Sequence, residues 1–342
     1  MTAGWPRPID SGVISDPGIP TLEAVFDPVT MGKYLRQALP DHWGPVQQIP
    51  DIRFQILKRH RSRCTFEIAL PAANGWRCLI GKVYATDRFD VYRAMDEIRR
   101  AGFGPEDEFS IPEPLAYVPE LRLLLQEKVH GARAKQILLT GNERERAEAS
   151  ERCARWLARF HAVAPRLGPV YRLDKHLNSL EQRSRSLAEL GGPLADKATR
   201  LCAQLTAAAQ GLGTLELCAG HGEYTCGQIL LAVGRTVTVD WDGYDVADPC
   251  RDVAAFLVEL RRIGLKQPPA IPALDQAADI FLKTYAASGR SDVTARMAFQ
   301  KAALCLKRAK QDVRKQAPGW PERAGATLDE GLRVLEQGIE VK

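Results

Sequence analysis

The order of apolar and polar residues divides the chain into two parts with different periods. From residue 45 to about 127, short apolar runs alternate with turn formers, and the clearest runs are RFQILKRH, RCTFEIALP, WRCLIGKVYA and LRLLLQEKV. Runs of this kind between Pro, Gly and Asn predict β-strands. One stretch, DVYRAMDEIRRAG, has helical spacing and ends at Gly102, so this part is predicted to be β-rich with a single helix.

Beyond residue 131 the apolar period becomes mainly helical. From Asn142, a suitable N-cap, to Val163, one face carries Ala149, Cys153, Trp156, Leu157 and Phe160. Further helices are predicted near residues 178–210, 250–263, 272–287, 292–316 and 327–340. The exception is QILLAV followed by RTVTVD, which predicts a β-hairpin that turns at Gly234.

These two parts predict an α+β protein with a β-rich N-lobe, residues 45–127, and a mainly helical C-lobe, residues 128–342. Residues 1–44 are predicted to be an N-terminal leader segment, whose start, MTAGWPRPIDSGVISDPGIP, lacks the basic and apolar regions of a secretory signal. No apolar run is long enough to span a membrane. The sequence therefore predicts a cytoplasmic protein without a membrane partner.

Cysteine spacing and charge narrow the function classes. The eight cysteines are scattered and none forms a C-x-x-C pair, which argues against a zinc site and a disulfide framework. The net charge of +5 is modest, but one stretch near the C-terminus is basic: Lys301, Lys307, Arg308, Lys310, Arg314 and Lys315. Apolar residues recur at helical spacing through the same stretch, so the basic residues are predicted to be its solvated face. No nucleic-acid partner is expected.

The stretch HGEYTCGQILLAVGRTVTVDWD concentrates polar groups around the predicted hairpin. Phosphoryl transfer from a nucleotide depends on positioning and charge neutralisation: a carboxylate near the attacking hydroxyl, an amide ligand for a metal and a second carboxylate on that metal. Glu223, Gln228 and Asp240 occur in this order, and the hairpin turn would return Asp240 beside Gln228.

Alternation within RTVTVD predicts the direction of Asp240. Val237 and Val239 share one side of the strand, whereas Thr236, Thr238 and Asp240 share the other. Because the valines are predicted to be buried, Asp240 is expected to leave the strand pointing away from the core.

The segment HGEYTCGQILL…VTVDWDGYDVADPCRDVA resembles the catalytic segment of the aminoglycoside phosphotransferase and choline kinase-like family, in which H-G-D-x-x-x-x-N precedes a strand ending in I-D and then G-D-P-x-x-D-hydrophobic-A. The matching residues are His221, Gly222, Asp240, Asp248, Pro249, Asp252 and Ala254. RCLIGKVYA, LQEKVHGARA and ARWLARFHAV are similar to the family's nucleotide-lysine strand, hinge and L-A-x-L-H helix. The resemblance implies a two-lobed protein-kinase-like fold, ATP and Mg²⁺ as cofactors, and a small-molecule substrate with a hydroxyl acceptor.

In the N-lobe the resemblance implies a nucleotide site. Lys82 would reach the α- and β-phosphates, with Glu97 preferred to Asp96 as its partner on the following helix. Ile80 shares a strand face with Lys82 and would cover the adenine, while the backbone of Glu127 to Val129 would bind its edge. The stretch GWRCLIGK is not a P-loop, because its glycine spacing is wrong and no Ser or Thr follows the lysine.

In the C-lobe the resemblance implies that Glu223 and His221 belong to the catalytic loop and that Gln228 and Asp240 bind Mg²⁺, since hard cations prefer oxygen ligands. His221 would brace the loop from within the core, and Asp252 would support it structurally. The family has Asp and Asn where this chain has Glu223 and Gln228. Each functional group is thus kept on a side chain that is longer by one methylene, or about 1.5 Å.

Two readings of the altered loop stay open on sequence alone. One is an active small-molecule kinase, and the other is a catalytically impaired, nucleotide-binding regulatory module of the pseudokinase kind, because Glu223 replaces Asp. A protein kinase is disfavoured, because the H-R-D, D-F-G and A-P-E triplets are absent. The Lys and Arg content of residues 260–316 favours a neutral or anionic acceptor.

Overall fold

The computed structural model describes residues 16–39, 52–72, 75–289 and 296–340, and the chain divides into two units between His130 and Gly131. The first unit is built on a β-sheet and the second is mainly helical, which confirms the predicted α+β class. Within the described ranges, no helix is both long and apolar enough to cross a membrane.

A five-stranded sheet organises the first unit, with neighbouring strands antiparallel in the order β1-β2-β3-β6-β5. The strands of this unit are β1 (Arg53–His60), β2 (Arg63–Ala72), β3 (Gly75–Tyr84), β4 (Phe109–Ser110), β5 (Pro114–Val118) and β6 (Leu123–Glu127). The helices described in it are α1 (Leu22–Phe26), α2 (Pro28–Ala38) and α3 (Phe89–Ile98). The predicted extended runs lie on β1, β2, β3 and β6. The predicted helix is α3, which continues into one π turn where Gly102 has a φ of 92°, a value that favours glycine.

Residues 16–39 belong to the folded first unit, unlike the leader that the sequence predicted. Helices α1 and α2 bury apolar side chains in the same core as the sheet: Leu22, Val25, Met31 and Leu35. Short helices of this kind are stabilised by tertiary packing rather than by propensity, so their sequence pattern is weak. The other leader residues, 1–15 and 40–44, lie outside the described residues.

The side chains of β3 alternate between the two faces of this sheet. Leu79 is buried in the core shared with α1 and α2. Gly81 points to the same side and leaves room for Phe66, whose ring would lie 2.5 Å from a Cβ at position 81. Ile80 and Lys82 alternate onto the opposite face, as the strand period predicted.

Eight helices and two small β-structures are described in the second unit. The helices are α4 (Ala134–Thr140), α5 (Glu143–Val163), α6 (Leu173–Ala188), α7 (Gly192–Ala209), α8 (Cys250–Lys266), α9 (Ile271–Ala286), α10 (Met297–Lys315) and α11 (Trp320–Glu340). The strands are β7 (Ala132–Arg133), β8 (Cys218–Gly220), β9 (Ile229–Ala232), β10 (Arg235–Thr238) and β11 (Asp245–Ala247). Strand β9 pairs with both β7 and β10, and β8 pairs with β11.

The ends of the helices agree with the sequence prediction in some places and differ from it in others. Asn142 caps α5 in a reciprocal arrangement with Glu145, which confirms the predicted N-cap. The predicted helix at 178–210 is two helices, because Gly191, between them, and Gly192, at the start of α7, take φ values of 68° and 63°. Helix α11 begins at Trp320, earlier than the predicted residue 327.

A second apolar core lies among α6, α7, α10 and α11. Helix α10 also packs against α8, so it has neighbours on several sides. The polar stretch singled out in the sequence, residues 221–242, forms the loop after β8 and the β9–β10 hairpin.

Candidate active site

The β9–β10 hairpin brings Gln228 and Asp240 together. Ile229 pairs with Thr238 in the antiparallel register, and the Val239 N–H donates to the Gln228 carbonyl oxygen at 2.9 Å. Gln228 Nε2 then donates to Asp240 Oδ2 at 3.4 Å. The two side chains predicted to bind a metal are therefore neighbours at one end of the hairpin.

Asp240 leaves β10 through a strained backbone conformation. Its φ of 73° and ψ of 62° lie in the left-handed region, which is uncommon for residues other than glycine. Thr236 and Thr238 are as fully buried as Val237, so both faces of β10 are covered and the alternation along the strand does not by itself define an open side. The left-handed turn, rather than strand alternation, sets the direction of Asp240. Such conformations cluster at functional sites.

The donor atoms of Gln228 and Asp240 suit a Mg²⁺ ion. Gln228 Oε1 is buried and accepts no hydrogen bond from the described residues. An unsatisfied buried acceptor is costly, and a hard cation would satisfy it. Among the described residues no group of three or more His, Cys, Asp or Glu forms a metal site, but Mg²⁺ bound to phosphates needs only one or two protein ligands.

Asp252, in the first turn of α8, holds the backbone of the loop that precedes the hairpin. Its Oδ2 accepts the His221 N–H at 2.7 Å, and its Oδ1 accepts the Gly222 N–H at 3.1 Å. His161 Nε2 lies 3.5 Å from Oδ2. Burial raises the pKa of Asp252, but the hydrogen bond and charge of His161 and the charge of Arg251 outweigh burial and hold it well below its usual range. The carboxylate is therefore ionised and fixes two consecutive peptide groups.

His221 is fully buried beneath this loop. Its Nε2 lies 3.1 Å from the Val239 carbonyl oxygen, and the Glu223 N–H donates to its Nδ1 at 3.4 Å. Burial lowers the pKa of His221, although the charges of Asp252 and Asp240 act in the other direction. A neutral ring with its proton on Nε2 satisfies both contacts. His221, which the resemblance placed with the catalytic residues, thus contacts backbone groups and positions the loop.

An aromatic cluster supports the loop from below. The rings of Trp156 and Tyr224 stack at 5.6 Å, and the rings of His221 and Trp241 meet edge-on at 4.8 Å. The Tyr224 hydroxyl donates to the Cys153 carbonyl oxygen at 2.7 Å, which ties the loop to α5. Each such aromatic pair contributes about 0.5–1.5 kcal/mol beyond its buried area. The polar residues of the loop are therefore supported by closely packed aromatic side chains.

Glu223 forms an ion pair with Arg308 of α10. Arg308 Nη1 donates to Glu223 Oε1 at 2.7 Å and to Gln311 Oε1 at 2.9 Å. Burial raises the pKa of Glu223, but the charges of Arg308 and Lys307 and the Arg308 hydrogen bond lower it further, so it lies below its usual range. The side chain is 40% exposed. Glu223 is therefore an ionised carboxylate that a small molecule can reach, with one oxygen held by arginine.

Part of the predicted solvated face of α10 points inward instead. Arg308 pairs with Glu223, and Lys301 and Lys307 are only partly exposed. Burial lowers the pKa of both lysines. The apolar face was predicted correctly, as Phe299, Ala302, Ala303, Leu306 and Ala309 are buried. Helical period alone does not reveal that α8, α6 and the catalytic loop cover further sides of the same helix.

The sequence analysis did not predict the roles of two residues that contact the loop or its support, His161 and Arg308. His161 lies within ARWLARFHAV, the stretch that resembles the family's L-A-x-L-H helix, so its place beside Asp252 was readable from that resemblance. Arg308 carries no such sequence clue, because its contact with Glu223 joins positions far apart in the chain.

The predicted nucleotide residues lie in the first unit. Lys82 is 5% exposed, and Ile80 is partly exposed on the same face of β3. Glu97 is exposed on the outer side of α3, whose inner side carries Val91, Ala94, Met95 and Ile98. The spacing of these inward residues leaves position 97 on the outside. The predicted Lys82–Glu97 ion pair is therefore not formed within the described chain.

The end of β6 corrects one further expectation. The Glu127 N–H donates to the Glu113 carbonyl oxygen at 2.9 Å, and Glu127 Oε2 accepts the Glu113 N–H at 3.1 Å. The Glu127 N–H is therefore not available to an adenine. No hydrogen bond to Val129 is found in the part of the chain that the structure describes, so its backbone groups are open to a ligand.

Solved structures share this fold over most of the chain. A choline/ethanolamine kinase family protein from Mesorhizobium loti is 16% identical, with a TM-score of 0.59, covering 90% of this chain and 95% of its own. Choline kinase LicA from Streptococcus pneumoniae is 14% identical, with a TM-score of 0.59 and coverage of 90% and 99%. A thermostable mutant of aminoglycoside phosphotransferase APH(4)-Ia, in a ternary complex with AMP-PNP and hygromycin B, is 14% identical, with a TM-score of 0.60 and coverage of 84% and 96%. These likenesses confirm the protein-kinase-like fold.

No curated protein sequence matches this one. The family model for the phosphotransferase enzyme family matches residues 80–299, which is more than half of the chain and includes Lys82, the catalytic loop and Asp252. The chain therefore belongs to the phosphotransferase enzyme family.

Proposed function

We propose that this phosphotransferase transfers the terminal phosphoryl group of ATP to a hydroxyl group of a small molecule, with Mg²⁺ as cofactor. The observation that carries the proposal is the buried, unsatisfied Gln228 Oε1 next to Asp240, on the hairpin that follows the Glu223 loop. Of the three similar structures described above, one holds AMP-PNP with hygromycin B and the other two are named as choline or choline/ethanolamine kinases, which supports a nucleotide donor and a small-molecule acceptor.

In the first unit, Lys82 would contact the α- and β-phosphates, Ile80 would cover the adenine, and the Val129 backbone would bind its edge. In the second unit, Gln228 and Asp240 would hold Mg²⁺, which when bound neutralises charge on the phosphates. The exposed Glu97 has no part in this proposal.

Glu223 would orient the acceptor hydroxyl. In the transfer, the acceptor oxygen forms a bond to the terminal phosphorus, the bond from that phosphorus to the bridging oxygen of ATP breaks, and ADP leaves. The hydroxyl proton passes to the ionised Glu223. Because its pKa is lowered, Glu223 is a weak base, so its main contribution is orientation with a late proton transfer. Arg308 would fix the longer side chain in place of the shorter Asp found in the family.

A second function is favoured by the same ion pair. Arg308 occupies Glu223 Oε1 and lowers the basicity of the carboxylate, as expected of a nucleotide-binding module that regulates without catalysing. The two functions predict opposite effects of a shorter carboxylate at position 223 on catalytic activity.

Substitution of Glu223 separates the two functions. We expect the parent enzyme to release ADP with a suitable acceptor and Glu223→Asp to lower kcat by about a hundredfold, because a shift of about 1 Å at the reacting group has that effect. Glu216→Asp, at an exposed position, is the matched control and should leave kcat unchanged. An inert parent whose Glu223→Asp variant gains activity would identify the regulatory module instead.

The backbone of the catalytic loop allows a second matched test. A Cβ at Gly222 would lie 2.0 Å from the Gly243 carbonyl oxygen, and the φ of 81° favours glycine. We expect Gly222→Ala to displace Glu223 and to lower kcat by about a hundredfold. Gly234→Ala has a similar φ of 69° but open space around its Cβ, so it should cost about 1–2 kcal/mol of stability and leave kcat of the folded enzyme intact. Equal kcat values for the two alanine variants would contradict the assigned loop geometry.

A further inference from the structure

Two cationic side chains on α6 and α10 form no ion pair among the described residues. Arg308 is paired with Glu223, and Arg251 is paired with Asp245 through contacts of 2.6 and 2.5 Å. Lys307 and Arg183, by contrast, make no hydrogen bond or ion pair among the described residues. We call these two side chains the free cation pair.

The packing of α6 against α10 places the free cation pair at one level. The rings of His176 and Phe299 lie 6.2 Å apart, and Lys310 Nζ donates to Ser186 Oγ at 2.7 Å. The two helices therefore run side by side in the same direction, with a rise of about 1.5 Å per residue in each. Arg183 precedes Ser186 by one turn, as Lys307 precedes Lys310, so the two cations lie at about the same height on neighbouring helices, and the charge of Arg183 acts on Lys307.

The surroundings of Lys307 are unfavourable for an unpaired ammonium. Burial lowers the pKa of Lys307; the charge of Glu223, which Arg308 already pairs, raises it, and the charges of Arg308, Arg251 and Arg183 lower it further. His176 is neutral and supplies no counter-charge, because burial lowers its pKa to about 4. Its Nε2 is also buried without a hydrogen-bond partner in the described chain.

An unpaired, partly buried cation costs stability, and it is retained where a ligand supplies the missing anion. The position is next to the reacting groups, because Lys307 directly precedes Arg308, which holds Glu223. An acceptor whose hydroxyl lies at Glu223 would place its remaining atoms beside α10 and α6.

We propose that the acceptor carries an oxyanion group, carboxylate or phosphate, which Lys307 and Arg183 bind. This inference rests on the proposed function for the identity of the ligand as acceptor. Arginine and lysine are the usual partners of carboxylates and phosphates. The pocket disfavours a cationic acceptor, because the free cation pair would repel it.

A series of three-carbon alcohols tests the proposal. Glycerol, 3-amino-1,2-propanediol, glycerate and glycerol 3-phosphate share a hydroxylated skeleton but are neutral, cationic and, in the last two cases, anionic. With Mg·ATP present, we expect ADP release with glycerate or glycerol 3-phosphate to exceed that with the neutral and cationic members by at least about tenfold in kcat/KM. The better of the two anions identifies the carboxylate or the phosphate as the recognised group. A preference for glycerol or the amine would overturn the inference and leave the proposed kinase function standing.

A binding measurement separates the two proposals. Inorganic phosphate is titrated by calorimetry into the protein saturated with Mg·AMP-PNP, so that the nucleotide site is filled. We expect binding that Lys307→Met weakens at least about tenfold and that Lys315→Met, on the exposed end of the same helix, leaves unchanged. Binding without turnover of any alcohol would support the anion site and count against the kinase function. No binding to the parent, or equal binding to both variants, would overturn the inference.

Thermal melting distinguishes a ligand-binding lysine from a structural one. Because Lys307→Met removes an unpaired charge, we expect it to raise Tm of the ligand-free protein by about 2–4 °C. A structural lysine would lower Tm on the same substitution. A fall in Tm with intact phosphate binding would contradict the role assigned to the free cation pair.

Discussion

Asp240→Asn is expected to reduce kcat on the order of a thousandfold, because the amide keeps the size of the side chain but removes the negative charge that would hold Mg²⁺. The remaining candidate ligand, Gln228 Oε1, is neutral and is positioned by its own contact with Asp240. We therefore expect the dependence of AMP-PNP binding on Mg²⁺ to weaken as well. Calorimetric titrations of AMP-PNP with and without Mg²⁺ measure that dependence directly.

The matched control is Asp279→Asn, the same change at an exposed position on α9. It should leave both turnover and Mg²⁺ dependence unchanged. If Asp240→Asn retained the kcat of the parent, the metal site would have to lie elsewhere.

Asp252→Ala is expected to destabilise the folded protein by about 3–5 kcal/mol, as removal of one partner from a buried ionic network does. Two backbone N–H groups, those of His221 and Gly222, would lose their acceptor, and His161 would lose a neighbouring carboxylate. Because the same contacts hold the loop, kcat of the variant measured below its melting temperature should fall by at least about a hundredfold.

The contribution of Asp252 to stability also has a defined pH dependence. Its pKa in the folded protein is held below the unfolded value of about 3.9, so the stabilisation is fully present above that pH and is lost as the pH falls below it. The difference in melting temperature between parent and Asp252→Ala should therefore be constant near neutral pH and shrink only in acid. A difference that grew in acid would contradict the assigned ionisation.

Asp312→Ala is the control for a stability effect without a loop effect. Asp312 accepts two hydrogen bonds of 2.9 Å from Arg262, in a buried ion pair that does not contact the catalytic loop. We expect a comparable loss of stability but an unchanged kcat for the folded fraction. If both variants lost kcat equally, Asp252 would have no specific role in positioning the loop.

The sequence predicted those features whose causes are local or strongly patterned. The β9–β10 hairpin follows from alternation around Gly234, and the start of α5 follows from the Asn142 and Glu145 capping pair. The polar order from Glu223 to Asp240, together with the family resemblance, indicated which side chains meet. Gln228 and Asp240 are close in space because of one short hairpin turn, and short turns are readily predicted from a single sequence.

The features that the sequence did not predict depend on contacts between distant segments. Helices α1 and α2 are short and join the first core through burial alone, so their residues looked like a leader. Glu97 was preferred on order along the chain, but the inward face of α3 is set by Val91, Met95 and Ile98. Thr236 and Thr238 are buried because tertiary neighbours cover both sides of β10.

The Glu223–Arg308 pair is the feature that most changes the interpretation of the altered loop. On sequence alone, one additional methylene displaces the carboxylate from its expected place. In the structure an arginine of α10 holds that longer side chain at 2.7 Å and keeps it ionised. The longer Glu223 side chain thus has an ion-pair partner, Arg308, that holds it in place. The neighbouring Lys307 is not used in this pair and is the residue proposed to bind the acceptor.

The central claim is that this site transfers a phosphoryl group to an alcohol, and the most direct measurement follows both products. Parent enzyme and Asp240→Asn are incubated with Mg·ATP and the three-carbon alcohols, ADP is quantified, and mass spectrometry detects the acceptor carrying one additional phosphoryl group. We predict that ADP and phosphorylated acceptor form in equal amounts with the parent and that both disappear with Asp240→Asn. Release of ADP with free phosphate only, or product formation that Asp240→Asn does not alter, would contradict the account.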